Sequence, residues 1–237
     1  MQSINMRPLW PAAPGQALAA GTMPRMDTLT SWGALLRHLL ELAAMLAFAL
    51  SGVLEGARKR LDPVGVCVVA FLAAFGGGTL RDLLMDQRPF FWIRHVDYVW
   101  ALLGLSLAAV LLMRQRHVNP TERAILVPDA IGLGLFTAVG VDQAEGLGMP
   151  GLIAVLMGVV TGVFGGVLRD IVCNQVPKAF NDHRPYAVLA FGGGWLYLGL
   201  LQTGASEPGA LLACVLFTAG LRGLAVWRDW QLPGWRI

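Results

Sequence analysis

Gly77-Gly78-Thr79-Leu80-Arg81-Asp82 is echoed further along the chain by Gly165-Gly166-Val167-Leu168-Arg169-Asp170. The offset is 88 residues (169 − 81). The same register pairs Gln87 with Gln175, Pro89 with Pro177 and Tyr98 with Tyr186. Read backwards, it pairs Phe48 with Phe136, Gly52 with Gly140 and Glu41 with Asp129, and no gap is needed. The chain is therefore an internal duplication. Each copy places a glycine cluster and an Arg-Asp pair inside a very apolar segment. Repeats of interrupted hydrophobic helices are the sequence signature of membrane transport proteins.

Composition points the same way. Of 237 residues, 56% are hydrophobic and only 14% charged, and mean hydropathy is +0.60. Soluble domains carry about 25% charged residues, so this is the composition of an integral membrane protein lying in a lipid bilayer. The net charge of +3 comes from Lys and Arg placed between apolar segments. They form no basic stripe, which argues against nucleic acid as a partner. Cys67, Cys173 and Cys214 all lie in apolar segments without metal-ligand spacing, as small residues packed between helices do.

Seven hydrophobic segments are long enough to cross roughly 30 Å of hydrocarbon. They run over 35–54, 63–85, 96–113, 124–141, 150–172, 185–201 and 208–227. The reading is an all-α integral membrane protein with seven transmembrane helices. A first three-helix repeat covers 35–116 and a second covers 123–204. A seventh helix over 207–228 lies outside the duplication. Residues 1–30, rich in Pro and Gly, read as a disordered tail, and 229–237 as a short C-terminal tail. Ala17-Leu18-Ala19 resembles a signal-peptidase site, but prolines interrupt the apolar stretch before it. Met26 is an alternative start.

Orientation follows the Lys/Arg bias of the loops. Arg58, Lys59 and Arg60, then Arg114, Arg116 and Arg123, then Lys178 and Arg184, and finally Arg228 and Arg236 fall on one side. Only Arg88 and Arg94 oppose them in the loops, while Arg7, Arg25 and Arg37 near the N-terminus count the other way. This puts the C-terminus in the cytoplasm and the N-terminus outside. Three spans per repeat, an odd number, then invert the second copy relative to the first.

The glycines allow two readings. Gly158, Gly162 and Gly166 are spaced for close helix packing. The contiguous Gly76-Gly77-Gly78, with Gly162, Gly165 and Gly166 in the second copy, instead predicts broken or kinked helices lining a path, because glycine is about 1 kcal/mol worse than alanine inside a helix. Arg81, Asp82, Arg169 and Asp170 are ionisable groups within spans, which face a bundle interior or aqueous cavity. Neighbours on a helix point about 100° apart, so Arg81 and Asp82 are expected to find other partners. Glu41 and Asp129 are expected near helix starts, either drawing cations to the two mouths or complementing the helix dipole. Arg222 is expected to snorkel. No nucleotide-binding or metalloprotease motif is present, no cofactor is implied, and nothing points to an enzyme.

Phe75-Gly76-Gly77-Gly78-Thr79-Leu80-Arg81-Asp82 and Phe164-Gly165-Gly166-Val167-Leu168-Arg169-Asp170 resemble the paired signature of bacterial membrane proteins built from a glycine transporter domain. That family is similar to the trimeric intracellular cation (TRIC) channels. The resemblance covers about 35–227. It implies a homotrimer in the bacterial inner membrane with one pore per protomer around helices two and five, conducting K⁺ and also Na⁺. The second copy has Phe164 where the first has Gly76, so its triplet is only a pair. Three functional classes stay open: a cation channel, a secondary carrier for glycine or another small solute, and a membrane scaffold.

Overall fold

A computed structural model of the protein describes residues 28–116 and 120–231. The expected N-terminal tail falls almost wholly outside them, as do residues 232–237. Within the described residues the elements are α1 (Thr28–Arg58), α2 (Pro63–Leu84), α3 (Phe91–Arg94), α4 (Val96–Arg116), α5 (Glu122–Gly146), α6 (Gly151–Val172), α7 (Lys178–Asn181), α8 (Ala187–Gln202) and α9 (Glu207–Arg228). Six of these, α1, α2, α4, α5, α6 and α9, are long and apolar enough to cross a membrane. The sixth apolar segment forms α8, whose 16 residues span roughly 24 Å and fall short of a full crossing. The two four-residue helices α3 and α7 follow α2 and α6 at equivalent places and were not expected.

Local chemistry sets the helix ends. Asp62 caps α2 by accepting from the Gly65 N–H at 2.7 Å, with Pro63 in the first turn. Thr121 caps α5 through the Ala124 N–H. Just beyond α2 and α6, Asp86 (φ 51°) and Asn174 (φ 53°) take the left-handed conformation. They are mates under the 88-residue register, and short polar side chains tolerate that conformation best.

The helix α5 lies at the centre, with 83% of its apolar window buried, whereas α4 has 17% buried and lies at the rim. Phe48 of α1 and Phe136 of α5 stack in the core with ring centroids 5.7 Å apart. These two residues are each other's mates. The glycine contacts obey the same reciprocity. A Cβ on Gly77 would collide with the Thr161 carbonyl, and one on Gly165 with the Ala73 carbonyl. Under the register 77 maps to 165 and 73 to 161, so one crossing of α2 over α6 is made twice over. A Cβ on Gly52 would lie 2.7 Å from Cα of Ala70, and one on Gly140 2.9 Å from Cα of Gly158, again a mated pair.

Of the expected break or kink, the break is not found. Both α2 and α6 are continuous through their glycines. The cost of helical glycine is of order 1 kcal/mol each, and backbone-to-backbone approach at the crossing offsets it without unwinding the helix.

Candidate functional site: two buried arginine clusters

The shared Arg-Asp motif builds one charged cluster in each repeat. In the second, Arg169 is buried. Its Nε and Nη2 engage Asp170 Oδ1 at 2.9 and 2.8 Å. Its Nη1 donates to Asp129 Oδ1 at 2.6 Å and to the Ser51 hydroxyl at 2.5 Å. Gly166 makes the room, since a Cβ there would sit 3.2 Å from the Tyr186 hydroxyl and 3.3 Å from Asp129 Oδ1. The other Asp170 oxygen accepts the Lys178 N–H at 2.9 Å and so fixes the start of α7.

The first cluster repeats the plan. Arg81 Nε and Nη2 donate to Asp82 Oδ1 at 2.9 and 2.8 Å. Asp82 Oδ2 accepts the Phe91 N–H at 2.7 Å, fixing the start of α3. Glu41, the mate of Asp129, lies 3.5 Å from Arg81 Nη2. The Arg81 guanidinium also lies over the Phe91 ring, 5.3 Å from its centroid, a cation–π arrangement. Phe91 fills the space that Gly78 leaves, just as Leu168 fills the space at Gly76.

The first cluster borders open space. Arg81, Glu41 and Asp82 line a cavity of about 510 Å³ together with Arg37, Asp142 and Gln143. Arg81 Nη1 is buried and has no hydrogen-bond partner. At the rim, Arg37 bridges Asp142 at 3.1 Å and Glu207 at 2.8 Å, and the Tyr197 hydroxyl donates to Asp142. His38 and Tyr98 meet at 2.8 Å on the same side.

Several expectations change here. Arg81 and Arg169 do pair with the aspartate that follows each of them, because an arginine is long enough to turn back onto its neighbour. Neither Glu41 nor Asp129 lies in the first turn of its helix; both are mid-helix partners of the buried arginines, so the dipole reading lapses. Gly162 is a packing glycine, where a Cβ would meet Thr137 Oγ1 at 2.7 Å and the Leu133 carbonyl at 2.9 Å. Arg222 does not snorkel. It is fully buried, donates to Asp182 at 3.1 Å and the Pro185 carbonyl at 3.2 Å, and lies over the Tyr186 ring. Asp229, assigned to a tail, instead pairs with Arg184, and that hydrogen bond holds the Arg184 guanidinium above its ordinary range. Among the described residues, no group of three or more His, Cys, Asp or Glu side chains could hold a metal ion.

A family model described as glycine transporter matches residues 38–114 and again 126–202. The chain belongs to the glycine transporter family. Both boundaries of the second match are displaced from the first by the same 88 residues (126 − 38 and 202 − 114). A UPF0126 membrane protein of Vibrio cholerae is 35% identical over 88% of this chain and 86% of its own length. The inner membrane protein YadS of Escherichia coli K12 is 35% identical over 81% of this chain and 88% of its own. Solved structures are also similar. The TRIC channel orthologue of Rhodobacter sphaeroides superposes with a TM-score of 0.75 at 32% identity, covering 81% of this chain and 98% of that one. A prokaryotic TRIC channel determined in 0.5 M KCl gives 0.77 at 27% identity, covering 84% and 100%. This glycine transporter family chain thus has the fold of the TRIC cation channels and is a membrane protein.

Proposed function

We propose that the protein is a K⁺-preferring monovalent cation channel of the bacterial inner membrane. It assembles as a homotrimer with one pore per protomer, and K⁺ and Na⁺ are its permeating partners. The repeats 35–116 and 123–204 are inverted copies about a pseudo-two-fold axis in the membrane plane, with 207–228 as a seventh helix. The N-terminus is outside and the C-terminus cytoplasmic. The path crosses the membrane at the interface of the two repeats, past Glu41, Arg81 and Asp82 in one leaflet and Asp129, Arg169 and Asp170 in the other. Gly77 and Gly165 set the spacing of α2 and α6 between them.

The observation that carries this reading is the mated pair of buried clusters. Ionisable side chains this deep in spans mark ion or solute pathways, and here each arginine is matched by two carboxylates, Glu41 and Asp82 or Asp129 and Asp170. The net charge of each cluster favours cations despite the arginine. The reciprocal contacts of Gly77 with Thr161, Gly165 with Ala73, and Phe48 with Phe136 support the two-fold relation. The likeness to TRIC channels supports conduction and the trimer.

One feature favours a second reading. Arg81 lines the cavity and its buried Nη1 has no hydrogen-bond partner, which suits a carboxylate, as a carrier for glycine needs. Flux from proteoliposomes separates the two. Fast, non-saturating K⁺ flux without uptake of labelled glycine supports the channel. Saturable glycine uptake without an independent K⁺ leak overturns it and assigns Arg81 to the carboxylate.

A further inference from the structure

Near the cytoplasmic end of α1, Glu55 is fully buried. Gln175 Nε2 donates to its Oε1. Its other oxygen, Oε2, has no hydrogen-bond partner, and neither has the buried Nζ of Lys178. These two orphaned atoms face each other at 3.6 Å, beyond hydrogen-bond reach. Arg58 approaches Oε2 only to 3.9 Å, from a side chain that is 40% exposed, so solvent screens it.

The 88-residue register shows what stands at the equivalent positions of the other half. Glu55 is the mate of Gln143, Gln175 of Gln87, and Lys178 of Phe90. Gln143 and Gln87 line the 510 Å³ cavity of the other half. At these two positions that mouth carries neutral glutamines, within a cavity otherwise lined by charged side chains such as Glu41, Arg81, Asp82 and Asp142. The equivalent place in this half has an acid, Glu55, and a base, Lys178, instead.

We infer that Glu55 is a monovalent-cation site at the cytoplasmic mouth, and that the Lys178 ammonium is its tethered occupant, holding that mouth closed to permeating ions. This rests on the channel reading. A buried carboxylate requires a cationic partner. A lysine ammonium is a compact point charge on a flexible stem, which makes it a stand-in for a small cation and one that can swing away. Lys178 is also the first residue of α7, with its N–H held by Asp170. The tether is thus anchored on the Arg169 cluster. Displacement of the amine frees Oε2 for K⁺ while the anchor stays in place.

The test compares the parent with Lys178→Gln, Glu55→Gln, the double variant, and Lys59→Gln as an exposed control from the neighbouring loop. Lys178→Gln retains the N–H bond to Asp170. K⁺ flux from proteoliposomes is expected to rise several-fold in Lys178→Gln, to fall back in the double variant, and to stay near parental in Lys59→Gln. An equal rise in Lys59→Gln would make the effect one of loop charge and overturn the inference. The second readout needs no flux. Thermal denaturation in detergent, with KCl against N-methyl-D-glucamine chloride, is expected to show K⁺-dependent stabilisation in Lys178→Gln and none in the double variant. A Lys178→Gln protein that folds but shows neither change overturns the site. K⁺-dependent stabilisation in vesicles that pass no K⁺ would retain the site and remove the channel reading.

Discussion

Arg169 is held by three side chains, Asp170, Asp129 and Ser51, while Arg81 is held by Asp82 and a more distant Glu41 and leaves Nη1 free. The consequence for stability is unequal. Asp129→Asn removes a 2.6 Å partner from a buried arginine, and breaking such a pair costs about 3 kcal/mol or more. Glu41→Gln weakens a 3.5 Å contact on the wall of an open cavity. Thermal denaturation in detergent should therefore show a large fall in Tm for Asp129→Asn and a small one for Glu41→Gln. Equal falls would show that the cavity does not hydrate Arg81. All four motif charges and both partner acids could be found in the sequence, because the register repeats them in apolar surroundings. Their pairing could not. A helical wheel gives the direction in which a side chain departs and says nothing about how far an arginine can bend back. Nor does it reveal that residues 182–186 lie over Arg222, which blocks the route to the interface that snorkelling needs.

The element scale belongs to the crossing of α2 and α6. Gly77→Ala places a methyl against the Thr161 backbone carbonyl, which cannot move without displacing α6. The expected result is normal membrane insertion, a lower Tm and altered flux. Gly104→Ala in α4 meets nothing within 4 Å and should be neutral or stabilising by up to about 1 kcal/mol from helix propensity. Parallel melting curves and flux assays check both. A Gly77 variant indistinguishable from the parent would remove the crossing as a constraint. The other vulnerable element is α9, fastened by Arg222 to Asp182. Asp182→Asn leaves Arg222 buried with little more than the Pro185 carbonyl, and α9 should become the first site of limited proteolysis. The spans were largely readable from apolar run length, and the duplication from its ungapped register. Continuity of α2 and α6 was not, because local propensity sees the entropy cost of Gly76–Gly78 but not the helix from the other repeat that lies against them. The short α3 and α7 escaped for a similar reason, since each is started by a carboxylate, Asp82 or Asp170, eight or nine residues earlier in the chain.

For the whole molecule, the stack of Phe48 on Phe136 at 5.7 Å offers a way to ask whether the two halves must move. Alternating access requires one repeat to rock against the other. A channel with a continuous wet path does not. With Phe48→Cys and Phe136→Cys joined by a short thiol cross-linker, K⁺ flux is expected to persist. Loss of flux on cross-linking, restored by reduction of a cleavable linker, would favour the carrier.

The reciprocity of contacts also bears on how such a protein can diversify. In an assembly of two separate identical halves, any substitution is written into both ends at once, and an acid suited to one side of the membrane is imposed on the other. Joining the halves in one chain removes that obligation. Glu55 and Lys178 can then stand in one copy while Gln143 and Phe90 occupy the equivalent positions of the other. The shared crossing through Gly77 and Gly165 stays under common constraint, so the two copies are held alike where they meet and are free to differ elsewhere.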